Sequence, residues 1–175
     1  MTHTIVFLDF EASGLFGDTW PIEVGYAASD GREDEFLLSR QPDWSLEGWD
    51  PRAEQTHGIS LHDLEESGID LQTALARLEP IKNAVIASDA PAFENFWLGR
   101  IAKSAGVEPP FTVVDWEDLL PSDQTQAERD ALVKQARAQE KQRHRALADA
   151  RVMRAVWRAS WDAAHKKWAH KARAD

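Results

Sequence analysis

The sequence contains no cysteine among its 175 residues. This absence excludes disulfides, thiolate metal sites and cysteine nucleophiles, and it is typical of a cytoplasmic protein. Long apolar runs are missing too, and none approaches the roughly 18 residues that cross a bilayer, so we expect no membrane contact. The N-terminal segment lacks a basic region followed by an apolar stretch and a small-residue cleavage site, so we expect no signal peptide.

Positive charge is scarce in the first two thirds of the chain. Residues 1–120 contain 7 Lys and Arg against 23 Asp and Glu, whereas residues 121–175 contain 13 against 7, within a net charge of −10. A basic segment is the usual footprint of phosphate contacts, although Lys and Arg also simply solvate the outer faces of helices. We divide the chain into a main domain, residues 1–160, and a basic, tryptophan-containing helical extension, residues 161–175.

Strand and helix signals alternate along the chain. The predicted strands are 4–10, 22–29, 35–39, 84–87 and 111–115. The predicted helices begin near Ser60, at "DLQTALARLEPI", at Pro91 and at Gln124. The stretch before Ser60, "RQPDWSLEGWDPRAEQTHGIS", is predicted to be irregular. Three strands in a meander, followed by strands that alternate with helices, predict an α/β domain with a five-stranded mixed sheet flanked by helices.

Two carboxylates interrupt the first predicted strand, "IVFLDFEASGL". Residues i and i+2 of a strand point to one face, so Asp9 and Glu11 project together while Phe10 projects the other way. Two buried like charges are costly unless a cation lies between them, and oxygen ligands suit Mg²⁺ or Mn²⁺. Taken alone, such a pair is more often two exposed acids at the end of a strand.

Further motifs follow the first one in order along the chain. They are "PIEVG", "THGIS", "SDAPAFENFWL" and "HRALADA", the last with Asp149 five residues after His144. Over roughly residues 4–158 the set resembles the DEDDh family of 3′–5′ exonucleases, which includes the proofreading epsilon subunit of bacterial DNA polymerase III, ribonuclease T and oligoribonuclease. The resemblance implies a ribonuclease H-like fold.

The resemblance also implies the roles of the first and last motifs. Asp9, Glu11 and Asp149 would bind metal, and His144 would be the general base. A surface histidine in a basic run is the alternative for His144. The segment after the first motif would border the 3′-terminal nucleotide, through Ala12, Ser13, Gly14 and the apolar wedge Leu15.

The second motif departs from the family, which usually has an Asp directly after an aromatic residue. Here Glu94 follows Phe93, and Asp89 directly follows the predicted strand. We favour Glu94 as the fourth metal ligand and keep Asp89 as the alternative, because Asp89 could instead cap the next helix. For His57 the sequence supports two interpretations equally: a substrate contact, or a cap for the helix that begins near Ser60.

The implied activity is hydrolysis of phosphodiester bonds at the 3′ end of single-stranded DNA or RNA, with two Mg²⁺ or Mn²⁺ ions per active site and 5′-mononucleotides as products. One alternative is a catalytically weak or inactive relative that serves as a nucleic-acid-binding or interaction module. A weaker one is a ribonuclease H-type endonuclease, which would not call for His144. The choice between DNA and RNA stays open, and so does a homodimer.

Eight tryptophans are many for this length. Aromatic side chains in polar loops can stack on unpaired bases, although sealing the edge of the sheet is their more usual role; the loop aromatics are Phe16, Trp20, Trp44 and Trp49. A second group follows one helical stripe and predicts a core or dimer contact; it consists of Trp157, Trp161 and Trp168.

Overall fold

The structure, a computed structural model, describes residues 4–141 and 144–171, with side chains as far as Lys167. The strands are β1 Ile5–Ala12, β2 Pro21–Ala28, β3 Glu33–Leu37, β4 Val85–Ser88 and β5 Val113–Asp115. They form one sheet in the order β3-β2-β1-β4-β5. The first three strands pair antiparallel, and β4 pairs parallel with both β1 and β5. The predicted five-stranded mixed sheet is confirmed.

Six α-helices accompany the sheet in the described ranges. They are α1 Pro51–His57, α2 Leu61–Ser67, α3 Leu71–Leu78, α4 Pro91–Ala105, α5 Gln126–Gln139 and α6 Ala146–Lys171. In this part of the chain, no helix combines the length and the apolar character that crossing a membrane requires.

Helices cover both faces of the sheet. On one face, Leu8 and Phe10 of β1 belong to a core with residues of α3 and α4. On the other face, Phe7 packs with α5 and α6, and its ring lies 6.0 Å from that of Trp157. Because side chains alternate along a strand, Asp9 and Glu11 share the face of Phe7 and lie towards α6.

Helix α1 corrects the prediction of an irregular stretch before Ser60. Asp50 caps the helix by accepting a hydrogen bond from the Arg52 N–H at 2.9 Å, and Pro51 occupies the first turn. Gly58 ends the helix with a left-handed backbone, φ 72°. These are ordinary start and stop signals for a helix. The prediction missed the helix because the two signals enclose only seven residues.

The aromatic side chains mainly serve packing. Trp20 and Trp44 are fully buried with ring centroids 5.6 Å apart, so neither can stack on a base. Trp161 lies on the helical stripe and donates from Nε1 to the Leu119 carbonyl at 2.9 Å. Phe16 is the contrast, since its side chain is 85% exposed. The side chain of Trp168 falls outside the described residues.

The described part of the predicted extension is the end of α6, which runs without interruption through Ser160 to Lys171. Ala164 is buried, and Lys167 pairs with Glu128 of α5 at 3.0 Å. The division at residue 160 stays a prediction, and residues 172–175 lie outside the described ranges.

Candidate active site

Acids from two elements meet on the α6 face of the sheet. Asp9 and Glu11 come from β1, and Asp149 comes from the first turn of α6. One carboxylate oxygen of each lies within 4.8 Å of the other two, and all three residues are partly buried. Three oxygens at this spacing can hold one hard divalent cation between them.

A close backbone contact brings α6 to this position. Gly25 of β2 pairs with Asp9 of β1, and a Cβ atom at Gly25 would lie 2.1 Å from the Leu147 nitrogen. Only glycine leaves room for the helix backbone here. Asp149, two residues beyond Leu147, is thereby held above the end of β1.

Burial and neighbouring negative charges raise the pKa of the two β1 acids. Burial, followed by the charges of Glu94 and Glu11, raises the pKa of Asp9 well above its usual range. Burial, followed by the charges of Glu23 and Asp149, raises the pKa of Glu11 to about 8, against the lowering effect of Arg145. A bound cation would reverse this effect, because it favours the charged form of each carboxylate.

Glu94 lies in the first turn of α4 and is almost fully buried, with 1% of its surface exposed. The Ser88 hydroxyl donates to its Oε1 at 3.4 Å, while Oε2 has no hydrogen-bond partner among the described residues. Burial, followed by the charge of Asp89, raises the pKa of Glu94. Such an unpaired buried oxygen calls for a ligand, and a divalent cation fits it.

Asp89 is exposed and does not cap α4, so this part of the prediction was wrong. Ala90 takes the N-cap position, and its N–H donates to the Ser88 hydroxyl at 3.1 Å. In the described part of the chain, neither Glu94 nor Asp89 joins the 4.8 Å group of Asp9, Glu11 and Asp149.

Two charged contacts of the site were not predicted from the sequence. Arg137 of α5 forms an ion pair with Asp149. Glu23 of β2 lies directly opposite Glu11, is fully buried, and binds Arg145. The signal for Glu23 was an acid inside the apolar segment "PIEVG", whereas nothing in the local sequence distinguishes Arg137 from the other basic residues of its helix.

An open cleft of about 480 Å³ lies beside the acids. This volume is within the range of small-molecule sites, roughly 300–1,000 Å³. The predicted site residues on its walls are Glu11, Ala12, Gly14, Leu15, His57 and His144. The exposed side chains of Phe16 and Arg52 also border the cleft. The sequence indicates Phe16 only as one of several loop aromatics and predicts no role for Arg52.

Ser13 lies beneath the cleft rather than on its wall. Its N–H donates to the Trp20 carbonyl at 2.8 Å, its carbonyl accepts from the Asp50 N–H at 2.7 Å, and its hydroxyl accepts from the Trp20 N–H at 2.9 Å. Ser13 is also 1% exposed, so its polar groups hold the loop in shape.

The two histidines of the cleft differ in environment. His144 is exposed and has a left-handed backbone, φ 53°, which is uncommon for a residue other than glycine. His57 is buried; its Nδ1 accepts from the Ile59 N–H at 3.0 Å, and its Nε2 has no partner among the described residues. Burial lowers the pKa of His57. His57 does not cap α2, because Ser60 and Asp63 form a capping box there.

Comparison with known proteins gives structural but not sequence relatives. No family model matches the chain, and no curated protein sequence does. Among solved structures, the chain is similar to Escherichia coli exonuclease I in complex with a dT13 oligonucleotide, with a TM-score of 0.67 and 16% identity over 91% of this chain. A moderately thermophilic exonuclease I from Methylocaldum szegediense gives a TM-score of 0.65 and 17% identity over 89% of this chain.

A zinc-bound form of the E. coli exonuclease I–ssDNA complex also matches, with a TM-score of 0.68 and 17% identity over 88% of this chain. The matched regions cover 41%, 39% and 39% of these three proteins, so the chain spans about two fifths of their length. The fold is therefore the ribonuclease H-like fold of this part of exonuclease I.

Proposed function

We propose that this protein is a metal-dependent 3′–5′ exonuclease of the DEDDh type that acts on single-stranded nucleic acid. The observation that carries the proposal is the meeting of Asp9, Glu11 and Asp149 beside an open cleft. The likeness to exonuclease I supports it at the level of the fold. Because similar structures contain dT13 and dA16 oligonucleotides, single-stranded DNA is the first substrate to test, with RNA as the alternative.

The carboxylates would hold the metal. Asp9, Glu11 and Asp149 are hard oxygen donors that suit Mg²⁺ or Mn²⁺, and Glu94, with its unpaired buried oxygen, would be the fourth ligand in preference to Asp89. Two such ions, when bound, would stabilise the charge on the attacking and leaving oxygens of the scissile phosphate. The raised pKa values of Asp9 and Glu11 support this role, since they indicate negative charge without sufficient compensation.

The remaining site residues would bind substrate and move a proton. His144 would accept the proton of the attacking water, because it lines the same cleft as Glu11. The leaving group would be the 3′-oxygen of the preceding nucleotide, so each step would release a 5′-mononucleotide. Ala12, Gly14 and Leu15 would border the terminal nucleotide, with His57 at the back of the cleft. A cytoplasmic location and a homodimer stay predictions.

Two observations favour the alternative of an inactive binding module. Arg137 pairs with Asp149, and a glutamate stands where the DEDDh pattern has an aspartate. A metal at Asp149 would have to share this carboxylate with Arg137 or displace it. The inactive module therefore remains the second candidate.

The test is hydrolysis of a 3′-labelled single-stranded DNA oligonucleotide with and without Mg²⁺ or Mn²⁺. We expect metal-dependent release of the labelled mononucleotide, and none from a strand whose 3′ end is blocked. Asp9→Asn should lose this activity, whereas Asp162→Asn, at an exposed position on α6, should keep it. Binding without hydrolysis would favour the inactive module, and internal cleavage of the blocked strand would favour an endonuclease. A matched RNA strand decides between the two substrates.

A further inference from the structure

We propose that Glu23 and Arg145 are positioning residues: their ion pair fixes the start of α6 and thereby holds both Asp149 and His144 in place. The activity readout of this inference rests on the proposed function, whereas its metal-binding readout does not.

The pair joins the centre of the sheet to the residue before α6. Arg145 donates from Nε to the two carboxylate oxygens of Glu23, at 2.9 and 3.1 Å. Oε2 of Glu23 also accepts from the Ala146 backbone N–H at 2.9 Å. One carboxylate therefore binds both the side chain before the helix and the first N–H of the helix, which has no partner within the helix itself.

Arg145 connects directly to both residues that it would position. Its backbone carbonyl accepts from the Asp149 N–H at 3.0 Å, so the first turn of α6 links the two. On its other side, His144 has a left-handed backbone, a conformation that persists only where surrounding contacts impose it. The left-handed backbone at His144 turns the chain, so that the His144 side chain lines the cleft while the Arg145 side chain points to Glu23 of the sheet.

Stability alone does not account for this pair. A buried ion pair is often no more stabilising than well-packed apolar side chains, because both charges must leave water. Glu23 is fully buried, and its charge adds to the repulsion that raises the pKa of Glu11. An apolar residue here would avoid that repulsion but could not bind Arg145 or the Ala146 N–H. The gain from Glu23 is therefore a defined position for the start of α6.

The same helix offers a matched control further along. Glu33 of β3 binds Arg151 of α6 through Nε at 3.0 Å and also pairs with Arg154. This second pair joins the same helix to the same sheet with the same chemistry, but it contacts none of the proposed metal ligands. If ion pairs between α6 and the sheet acted only on stability, disrupting either one would have the same kind of effect.

The experiment compares Glu23→Gln and Arg145→Lys with Glu33→Gln in the full chain. The readouts are the melting temperature, the affinity for Mn²⁺ alone measured by calorimetry, and kcat and KM on a DNA oligonucleotide. In Glu23→Gln and Arg145→Lys we expect kcat and Mn²⁺ affinity to fall by about 10–100-fold, with a much smaller change in KM. In Glu33→Gln both should change by less than about threefold, whatever the melting temperature does.

The inference is overturned if Glu23→Gln and Glu33→Gln affect Mn²⁺ affinity equally, or if Glu23→Gln lowers only the melting temperature. Should Glu23→Gln fail to fold, Arg145→Lys decides in the same way, because it keeps the charge and loses only the geometry of the guanidinium. If the parent protein hydrolyses no oligonucleotide, the proposed function fails, and Mn²⁺ affinity alone still decides about Glu23 and Arg145.

Discussion

The raised pKa of Glu11 predicts how the metal-free protein responds to pH. Folding moves this pKa from 4.5 to about 8, because burial and then the charges of Glu23 and Asp149 disfavour the ionised form. The folded protein therefore holds this proton more tightly than the unfolded chain does. Glu11 costs no stability below pH 4.5, and its cost grows as the pH rises until it is complete above about pH 8.

The size of the effect follows from the same pKa values. At pH 7, about 2.5 pH units above the unfolded-state pKa, Glu11 is ionised in the unfolded chain but still largely protonated in the folded protein, and this difference lowers the free energy of unfolding by about 3 kcal/mol. Glu11→Gln keeps the shape of the side chain and removes its charge. At pH 7 the metal-free variant should exceed the parent by about this amount, or about 6–12 °C in Tm for a chain of this length. At pH 4.5 the two should nearly coincide.

The assay is thermal or urea unfolding in EDTA between pH 4.5 and 8.5. Glu65→Gln, at an exposed position on α2, is the control and should follow the parent at every pH. Addition of Mn²⁺ at pH 7 should raise the Tm of the parent more than that of Glu11→Gln, because the cation binds the carboxylate form. A stability difference between parent and Glu11→Gln that does not change with pH would refute the reasoning, since the charge would then not be its cause.

The other site residues give three further predictions. Asp9→Ala should abolish hydrolysis while the EDTA-treated protein melts no lower than the parent, because removing one buried acid relieves repulsion; equal Tm shifts with Mn²⁺ in both would argue against Asp9 as a ligand. Glu94→Gln should lower kcat by orders of magnitude, whereas Asp89→Asn should retain most of the parent's kcat and Glu94→Asp should retain a substantial part of it. If Asp89→Asn abolishes turnover and Glu94→Gln does not, the fourth ligand is Asp89. His144→Asn, which tolerates a left-handed backbone, should lower kcat by about 10²–10⁴-fold with Mn²⁺ affinity retained; loss of Mn²⁺ binding would instead make His144 part of the metal site.

The placement of the first acids was predictable because it depends on local periodicity. The alternation of apolar residues in β1 sets which way each side chain points, so Asp9 and Glu11 had to share a face wherever the strand was placed. The strand also fixes Phe10 on the opposite face, in the core with Trp97. The motif "HRALADA" placed Asp149 in the first turn of a helix, and α6 begins at Ala146.

The contacts that complete the site were not predictable from local patterns. Glu23 and Arg145 are 122 residues apart, and Arg137 reaches Asp149 from a separate helix. Such pairs depend on how the elements pack, which the periodicity of one segment does not determine. The expected helix cap at Asp89 was wrong for a local reason: α4 begins at Pro91, so Ala90 takes the N-cap position and no side chain caps the helix.

The basic C-terminal segment acquires a different meaning from the structure. Among the described residues, several of its cations pair with acids of the protein itself: Arg137 with Asp149, Arg145 with Glu23, Arg151 and Arg154 with Glu33, and Lys167 with Glu128. A cation that already neutralises a carboxylate leaves less net positive charge for a phosphate, so the number of basic residues alone does not establish a nucleic-acid-binding surface here. These pairs attach α6 and the residue before it to the acidic sheet, through Glu23 and Glu33, and join α5 to α6, through Asp149 and Glu128. In the proposed reaction, the positive charge that receives the scissile phosphate would then come chiefly from the metal bound by Asp9, Glu11 and Asp149.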